Sequence, residues 1–248
     1  MECIKILPLS FRSEGEKARI YPAVLKDANG LTLVDCGCPQ HLPEIEKVME
    51  QAGLKINEIV RIIITHHDYD HMGALKEITE KYGGIEVFCS EAQKPFVTGK
   101  AKSLRLIQAE EKEKYLTDAQ KKESKVFMDM LKSVKTVDSA SSVNSGDILP
   151  VCGGLQVIDT SGHMPGHISL YSIREKTLIA GDALSIYNGK LNIPHPEYTM
   201  DMPMALKSIE KLINLDIEKI ICYHGGIYAD SANNIRSDFE KIVSNNRA

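Results

Sequence analysis

Residues 61–71 of the chain read Arg-Ile-Ile-Ile-Thr-His-His-Asp-Tyr-Asp-His. The apolar start of this stretch is typical of a buried strand, and the polar remainder follows where that strand would end. Imidazole and carboxylate groups are ligands that suit zinc, iron and manganese. A polar loop whose aspartate caps the next helix would explain one acidic residue but not the whole set. We therefore predict a metal site here, with these candidate ligands: His66, His67, Asp68, Asp70 and His71.

Three further candidates lie elsewhere in the chain, and each follows an apolar run. They are His163, Asp182 and His224. A single histidine at such a position is more often a surface or core residue than a ligand. Ligands at the ends of several strands can instead converge on one edge of a sheet, where the strands hold them rigidly. The repetition of strand, turn and ligand favours this second interpretation.

The stretch at 65–71 resembles the signature Thr-His-x-His-x-Asp-His of the metallo-β-lactamase-fold hydrolase superfamily. Thr65, His66, Asp70 and His71 match the signature. The sequence departs from it at Asp68, which stands where most members of the family have a histidine.

Other segments resemble the same family. Residues 161–167, Ser-Gly-His-Met-Pro-Gly-His, resemble the Gly-His-x-x-Gly-His segment around the family's third histidine. Gly181-Asp182 resembles the dipeptide that carries the bridging aspartate, and Asp35 stands where the family has a buried aspartate after an early strand. The resemblance covers nearly the whole chain.

The resemblance implies a centre of two divalent ions, with zinc as the first expectation and iron or manganese as alternatives. Asp70 would also act in catalysis, by orienting the nucleophile or relaying a proton. His67 would occupy a position that does not bind metal, and His167 and Asp35 would support the ligands. The ligand set it implies is His66, Asp68 and His163 for the first ion, Asp70, His71 and His224 for the second, and Asp182 as the bridge.

Such a centre predicts a hydrolase in which a metal-activated hydroxide attacks a small ester, lactone or thioester. Asp68 leaves a di-iron oxidoreductase open as an alternative, because a carboxylate hardens the first site and flavodiiron proteins carry a glutamate there. A phosphodiesterase and a non-catalytic metal-binding sensor are two further alternatives.

Composition favours one layered α/β domain over residues 1–248. The chain is 43% hydrophobic, and its net charge of −4 gives no electrostatic reason to expect nucleic acid or an anionic membrane as a partner. We expect a cytoplasmic protein, since no apolar run is long enough to span a bilayer and the N-terminus does not resemble a signal peptide. The expected partner is a small-molecule substrate, and a homodimer remains an option.

Six cysteines in a chain of this length do not predict a disulfide scaffold. Cys3, Cys89 and Cys222 lie in apolar runs, so we expect them to be small buried residues.

Alternating strands and helices predict two strand-rich halves. The predicted strands are 2–9, 19–26, 31–35, 61–65, 85–89, 155–159, 168–173, 177–181 and 218–223. The predicted helices are 42–52, 72–82, 203–213 and 231–244. Two such halves, each with outer helices, fit a four-layer αβ/βα sandwich, the metallo-β-lactamase fold, with the metal site at one edge.

Two segments interrupt this pattern. Residues 92–134 predict a helical insertion, in which Thr117 and Gln120 have the form of a capping box. The insertion could be a lid over the active site or an element for packing or dimerisation. The loop at 183–201 begins at Asp182, and it contains our candidates for substrate contact: Tyr187, His195 and Tyr198.

Overall fold

The computed structural model describes residues 3–13 and 16–246. Its strands are β1 (Ile4–Ile6), β2 (Leu9–Ser13), β3 (Glu16–Ile20), β4 (Ala23–Asp27), β5 (Gly30–Val34), β6 (Ile59–Ile63), β7 (Glu86–Ser90), β8 (Ser141–Val143), β9 (Ile148–Leu149), β10 (Leu155–Asp159), β11 (Ile168–Ser172), β12 (Thr177–Gly181), β13 (Ser185–Tyr187), β14 (Lys190–Asn192), β15 (Lys219–Cys222) and β16 (Gly226–Ala229). Its α-helices are α1 (Leu42–Gln51), α2 (Tyr69–Met72), α3 (Leu75–Tyr82), α4 (Lys94–Val97), α5 (Leu104–Glu113), α6 (Asp118–Ser133), α7 (Met202–Leu212) and α8 (Ala232–Asn246), and 3-10 helices occur at Ile56–Glu58 and Pro196–Tyr198.

Two six-stranded sheets form the centre of the molecule. The first has the strand order β1-β4-β5-β6-β7-β8, in which β5 to β8 pair in parallel and the other neighbours are antiparallel. The second has the order β16-β15-β12-β11-β10-β9, and only β12 and β15 pair in parallel. Two hairpins, β2–β3 and β13–β14, lie outside these sheets.

The sheets pack face to face, with helices on the outer faces. Successive residues of a strand point to opposite faces, so Ile63 lies in the core between the sheets while Ile62 faces the outer layer. Helices α1 and α3 cover the first sheet, and α7 and α8 cover the second. The predicted four-layer αβ/βα sandwich is confirmed. Burial on both faces explains why β12 and the last residues of β6 read as apolar runs.

Several element boundaries differ from the prediction. The strand predicted at 19–26 is two strands, β3 and β4, because Pro22 lacks the backbone N–H that a sheet ladder needs. The helix predicted at 72–82 is preceded by a separate turn of helix, α2, which begins inside the metal motif. The break falls at Gly73, where a Cβ atom would lie 2.2 Å from the backbone nitrogen of Pro39. The hairpins β2–β3 and β13–β14 were not predicted.

Helices α4, α5 and α6 occupy the segment at 92–134, which we call the insertion. The capping box of Thr117 and Gln120 opens α6 as predicted. Tyr115 is 88% and Val126 is 72% exposed, so these two large side chains lie outside the packed faces of the helices. The two long helices instead pack through these buried side chains: Leu106, Ala109, Met128 and Leu131. None of the helices in the described part of the chain combines the length and apolar character of a membrane span.

Cys3, Cys89 and Cys222 are buried as predicted. The sequence did not predict that Cys3 forms a disulfide with Cys152, which lies 149 residues further along the chain. The bond joins the segment before β1 of the first sheet to the segment between β9 and β10 of the second. The remaining cysteines are free thiols.

Candidate metal centre

The seven predicted ligands meet at one edge of the sandwich. The motif at 66–71 follows β6, and its last residues form α2. His163 follows β10, Asp182 directly follows β12 and His224 comes two residues after β15. Each ligand therefore leaves the carboxyl end of a strand whose position the core fixes, and the sheets bring together segments far apart in sequence.

His66, Asp68 and His163 form a first group of possible donors, whose ligand atoms all lie within 4.8 Å of one another. Asp68 Oδ2 is 3.5 Å from His66 Nε2 and 3.3 Å from His163 Nε2. Asp68 occupies the N-cap position of α2, but its side chain makes no capping hydrogen bond. Its carboxylate is instead directed into the site, contrary to the interpretation of this loop as a helix cap.

Asp70, His71 and His224 form a second group with the same spacing. Asp70 Oδ2 is 3.2 Å from His224 Nε2 and 3.8 Å from His71 Nε2. Asp182 lies between the two groups. Its Oδ2 is 3.4 Å from His71 Nε2 and from His224 Nε2, and 3.6 Å from His163 Nε2. One carboxylate oxygen thus faces donors of both groups, as a bridging ligand requires.

The donor atoms themselves show that the residues fit metal ions. Among the described residues, His66 Nε2, His71 Nε2 and Asp182 Oδ1 are buried polar atoms without a hydrogen-bond partner. Such atoms are rare in folded proteins because burying them unpaired costs about 1–3 kcal/mol each. A bound cation would satisfy them, and a mixture of imidazole and carboxylate suits a divalent transition metal.

Negative charge accumulates in this site. Burial lowers the pKa of a histidine, and it holds the pKa of His66 well below its usual value. At His224 burial acts in the same direction, but the carboxylates of Asp182 and Asp70 outweigh it and raise the pKa to about 10. The carboxylates of Asp182, Asp35 and Asp70 likewise raise the pKa of His71 above its usual value despite its burial. The site therefore favours positive charge, which divalent cations would supply.

Asp35 and His167 form hydrogen bonds with His71 and Asp182, two of the candidate ligands. Asp35 accepts hydrogen bonds from the backbone N–H and the hydroxyl of Thr65, at 2.9 and 2.7 Å, and from His71 Nδ1 at 2.9 Å. This last bond turns His71 Nε2 toward the other donors. His167 Nε2 accepts from the backbone N–H of Asp182 at 2.9 Å, so it fixes the start of the bridging residue's loop.

His67 lies in the motif but uses both ring nitrogens elsewhere. Its Nδ1 donates to Gln93 Oε1 at 2.6 Å, and its Nε2 accepts from the backbone N–H of Leu104 at 3.2 Å. The ring stacks on Phe96, with 4.1 Å between ring centroids. His67 is buried, so it is not a surface residue, and it connects the metal motif to the insertion.

Arg105 is a site residue that the sequence analysis missed. It lies on α5, is 8% exposed and forms an ion pair with Asp68. Its spacing of four residues from Ala109, on the same helix face, was the available signal, because a charged residue on an apolar helix face needs a buried partner. The partner precedes it by 37 residues, and the sequence pattern does not reveal that pairing.

A cavity of about 1460 Å³ opens onto the seven-residue cluster. His195 and Tyr198 line it, and their contact with substrate stays a prediction. Tyr187 is 73% exposed and is not among the described residues that line it, because β13 directs this side chain outward. The insertion contributes Phe127 and other residues to the wall, so it forms part of the cavity.

The fold and this cluster together define a family. A family model described as the metallo-beta-lactamase superfamily matches residues 21–224, which is most of the chain. The protein belongs to the metallo-beta-lactamase superfamily, and the family resemblance noted in the sequence is confirmed.

Known relatives span most of the chain at low identity. The chain is 28% identical over 237 residues to "Probable metallo-hydrolase YflN" of Bacillus subtilis (strain 168), a match covering 88% of this chain and 83% of that protein. It is 25% identical over 205 residues to "Hydroxyacylglutathione hydrolase" of Rhodopseudomonas palustris (strain HaA2), covering 81% of this chain and 60% of that protein. The fold is similar to that of a metallo-beta-lactamase family protein from Thermus thermophilus, with a TM-score of 0.72, 23% identity and coverage of 99% of this chain and 79% of that one.

Proposed function

We propose that this protein is a hydrolase with a dinuclear metal centre, acting on a small ester, lactone or thioester. The observation that carries the proposal is the arrangement of two donor groups around one carboxylate, Asp182, whose Oδ2 faces histidines of both groups. The proposed first group is His66, Asp68 and His163. The proposed second group is Asp70, His71 and His224.

Two divalent cations bound there, with zinc as the first candidate, would supply Lewis acidity and lower the pKa of water toward neutrality. The protein itself contributes side chains that position the reacting water. Asp70 lines the cavity, and its Oδ2 lies 3.2 Å from His224 Nε2. In the proposal this carboxylate accepts a hydrogen bond from the attacking water, orients it toward the substrate carbonyl and takes up its proton.

The cavity favours a substrate with an apolar part and a polar reacting group. Tyr69, Phe127 and Met130 form one side of it, while His195 and Tyr198 lie on the segment that follows Asp182. In the proposal the aromatic side packs against the acyl or alkyl portion, and His195 or Tyr198 contacts the leaving group. The names of the two relatives, a probable metallo-hydrolase and a hydroxyacylglutathione hydrolase, support hydrolysis and include a thioester among the candidates.

A substrate panel tests the proposal. The chain, stripped with a chelator and reconstituted with zinc or manganese, is assayed without oxygen or reductant on an aryl ester, a lactone, a glutathione thioester and a phosphodiester. We expect turnover of at least one carbonyl substrate, loss of turnover on chelation and recovery on adding metal. Asp70→Asn should lower kcat about 10²-fold or more, since it removes the proton acceptor.

The alternatives give different outcomes in this panel and in a parallel assay of the iron-loaded chain with an electron donor and oxygen or nitric oxide. Turnover of the phosphodiester alone would identify a phosphodiesterase. Activity that requires iron, an electron donor and oxygen or nitric oxide would replace the proposal with a di-iron oxidoreductase. Binding of metal without turnover of any substrate would favour the non-catalytic sensor.

A further inference from the structure

The guanidinium of Arg105 forms a bidentate interaction with the carboxylate of Asp68. Its Nη2 donates to Asp68 Oδ2 at 2.8 Å and its Nε donates to Oδ1 at 3.3 Å. The same guanidinium also donates to the backbone oxygen of Tyr198 at 3.1 Å and to Gln108 Oε1 at 3.2 Å. One residue of the insertion therefore contacts both the metal motif and the loop at 183–201.

The pair has a consequence for charge. A carboxylate at position 68 adds one negative charge to a place where an imidazole would be neutral. Arg105 adds one positive charge against it, and both groups are buried, at 8% and 6% exposure. A buried charge without a partner is strongly destabilising, so each of these residues offsets the energetic cost of burying the other's charge. Together they give the first donor group the net charge that a neutral imidazole would give it.

We propose that Arg105 is a positioning residue of the first metal group, holding the Asp68 carboxylate toward His66 and His163 and offsetting its charge. This inference rests on the dinuclear centre proposed above. It makes the insertion a structural part of that centre, in addition to a wall of the cavity. It also offsets the negative charge that Asp68 adds to the first site, while the donor atom is still a hard carboxylate oxygen.

The geometry allows Asp68 to serve both partners. A carboxylate oxygen has two lone pairs, so Oδ2 can accept from Arg105 and still face a cation between His66 and His163. The two-pronged contact fixes the plane of the carboxylate, which a single hydrogen bond would leave free to rotate. Asp68 is also free of any capping hydrogen bond to α2 that would compete for its oxygens.

A double-mutant cycle tests the inference through metal affinity. Four proteins are compared: the native chain, Arg105→Met, Asp68→His, and the double variant. Zinc stoichiometry and affinity are measured by competition with a chromophoric chelator, and folding is checked by circular dichroism. Lys114→Met is the matched control, because it removes the same charge from an exposed position at the end of the same helix.

We expect Arg105→Met to lower the affinity for one of the two zinc ions about 10–100-fold, the usual effect of losing a residue that supports a ligand. Asp68→His alone should also weaken this ion, because it leaves a buried guanidinium unpaired beside a cation. The double variant should recover at least about tenfold over Asp68→His. Lys114→Met should bind both ions as the native chain does.

Arg105→Lys distinguishes the effect of the positive charge from that of the contact geometry, since it keeps the charge but loses the bidentate contact. We expect it to bind the weakened ion about tenfold less tightly than the native chain does. Native affinity in Arg105→Met or Arg105→Lys, or a double variant no better than Asp68→His, would overturn the positioning role while leaving the dinuclear centre intact. A native chain that binds no zinc would overturn both proposals.

Discussion

Neighbouring histidines in the motif have opposite surroundings. His66 Nε2 is buried without a hydrogen-bond partner and faces other donors, whereas both nitrogens of His67 are engaged by Gln93 and Leu104. The difference arises because consecutive residues after β6 point in different directions. The structure therefore assigns them different tasks, with His66 directed to the cluster and His67 to the insertion.

This difference predicts a clear contrast between two alanine variants. His67→Ala should still bind two zinc ions, although it should lose about 2–4 kcal/mol of stability with its hydrogen bonds and its stacking on Phe96. His66→Ala should bind one ion fewer and lose less stability. Metal analysis of the dialysed variants measures the number of bound ions. Urea unfolding measures the loss of stability. An ion lost from His67→Ala but not from His66→Ala would show that the ligands are misassigned.

At the residue scale, the sequence predicted the cluster better than its surroundings. The candidate ligands come within a few residues after apolar runs, a local feature that can be read without knowing the fold. The tasks of Arg105 and Gln93 depend on partners that tertiary folding brings near, so no local pattern reveals them. Tyr187 was expected at the cavity because it lies near Asp182 in sequence, but a hairpin turns it away.

Among the secondary-structure elements, the end of β12 is tightly constrained beside the site. Gly181 has a φ of 55°, and a Cβ atom there would lie 2.7 Å from His167 Nε2. Both features exclude a larger residue, and the next residue is Asp182. These constraints explain why glycine precedes Asp182. Only glycine lets the chain pass His167 and place Asp182 beside both donor groups.

Gly181→Ala should consequently lower the free energy of unfolding by about 2–4 kcal/mol, from unfavourable φ and steric overlap together. Gly189→Ala is the control, because Gly189 has a φ of 72° but no atom within 4 Å of the added Cβ. It should cost only about 1 kcal/mol, from backbone strain alone. Equal losses in urea unfolding experiments would mean that the contact with His167 does not constrain this turn.

Long elements were predicted more reliably than short ones. The periodicity of α1, α7 and α8 and the apolar runs of β10 to β12 gave boundaries within a few residues. The hairpins β2–β3 and β13–β14, which lie outside the main sheets, were missed. In the insertion the predicted helices and the capping box that opens α6 are present.

For the whole molecule, the two sheets are joined by a covalent bond in addition to their shared core. The bond between Cys3 and Cys152 closes a loop with a sequence separation of 149 residues. The sequence did not predict it, because cysteine spacing does not determine pairing in a chain of this size. A loop this long implies stabilisation of up to about 5 kcal/mol through the unfolded state.

Thiol counts test this bond. The unfolded protein should show four reactive thiols without reductant and six after reduction, since the chain has six cysteines and four are free. Cys152→Ser should lower the free energy of unfolding by about 2–5 kcal/mol in non-reducing buffer, and by much less in reducing buffer. Six reactive thiols before reduction would mean that the bond does not form in solution.

We propose that seven side chains at one edge of the sandwich bind two metal ions. Anomalous diffraction from crystals grown with zinc, recorded on both sides of the zinc absorption edge, tests it most directly. We expect two peaks about 3.5–4 Å apart, with the carboxylate of Asp182 between them. One peak should contact His66, Asp68 and His163, and the other should contact Asp70, His71 and His224. A single peak, or two peaks of which neither contacts Asp182, would contradict a dinuclear centre bridged by Asp182.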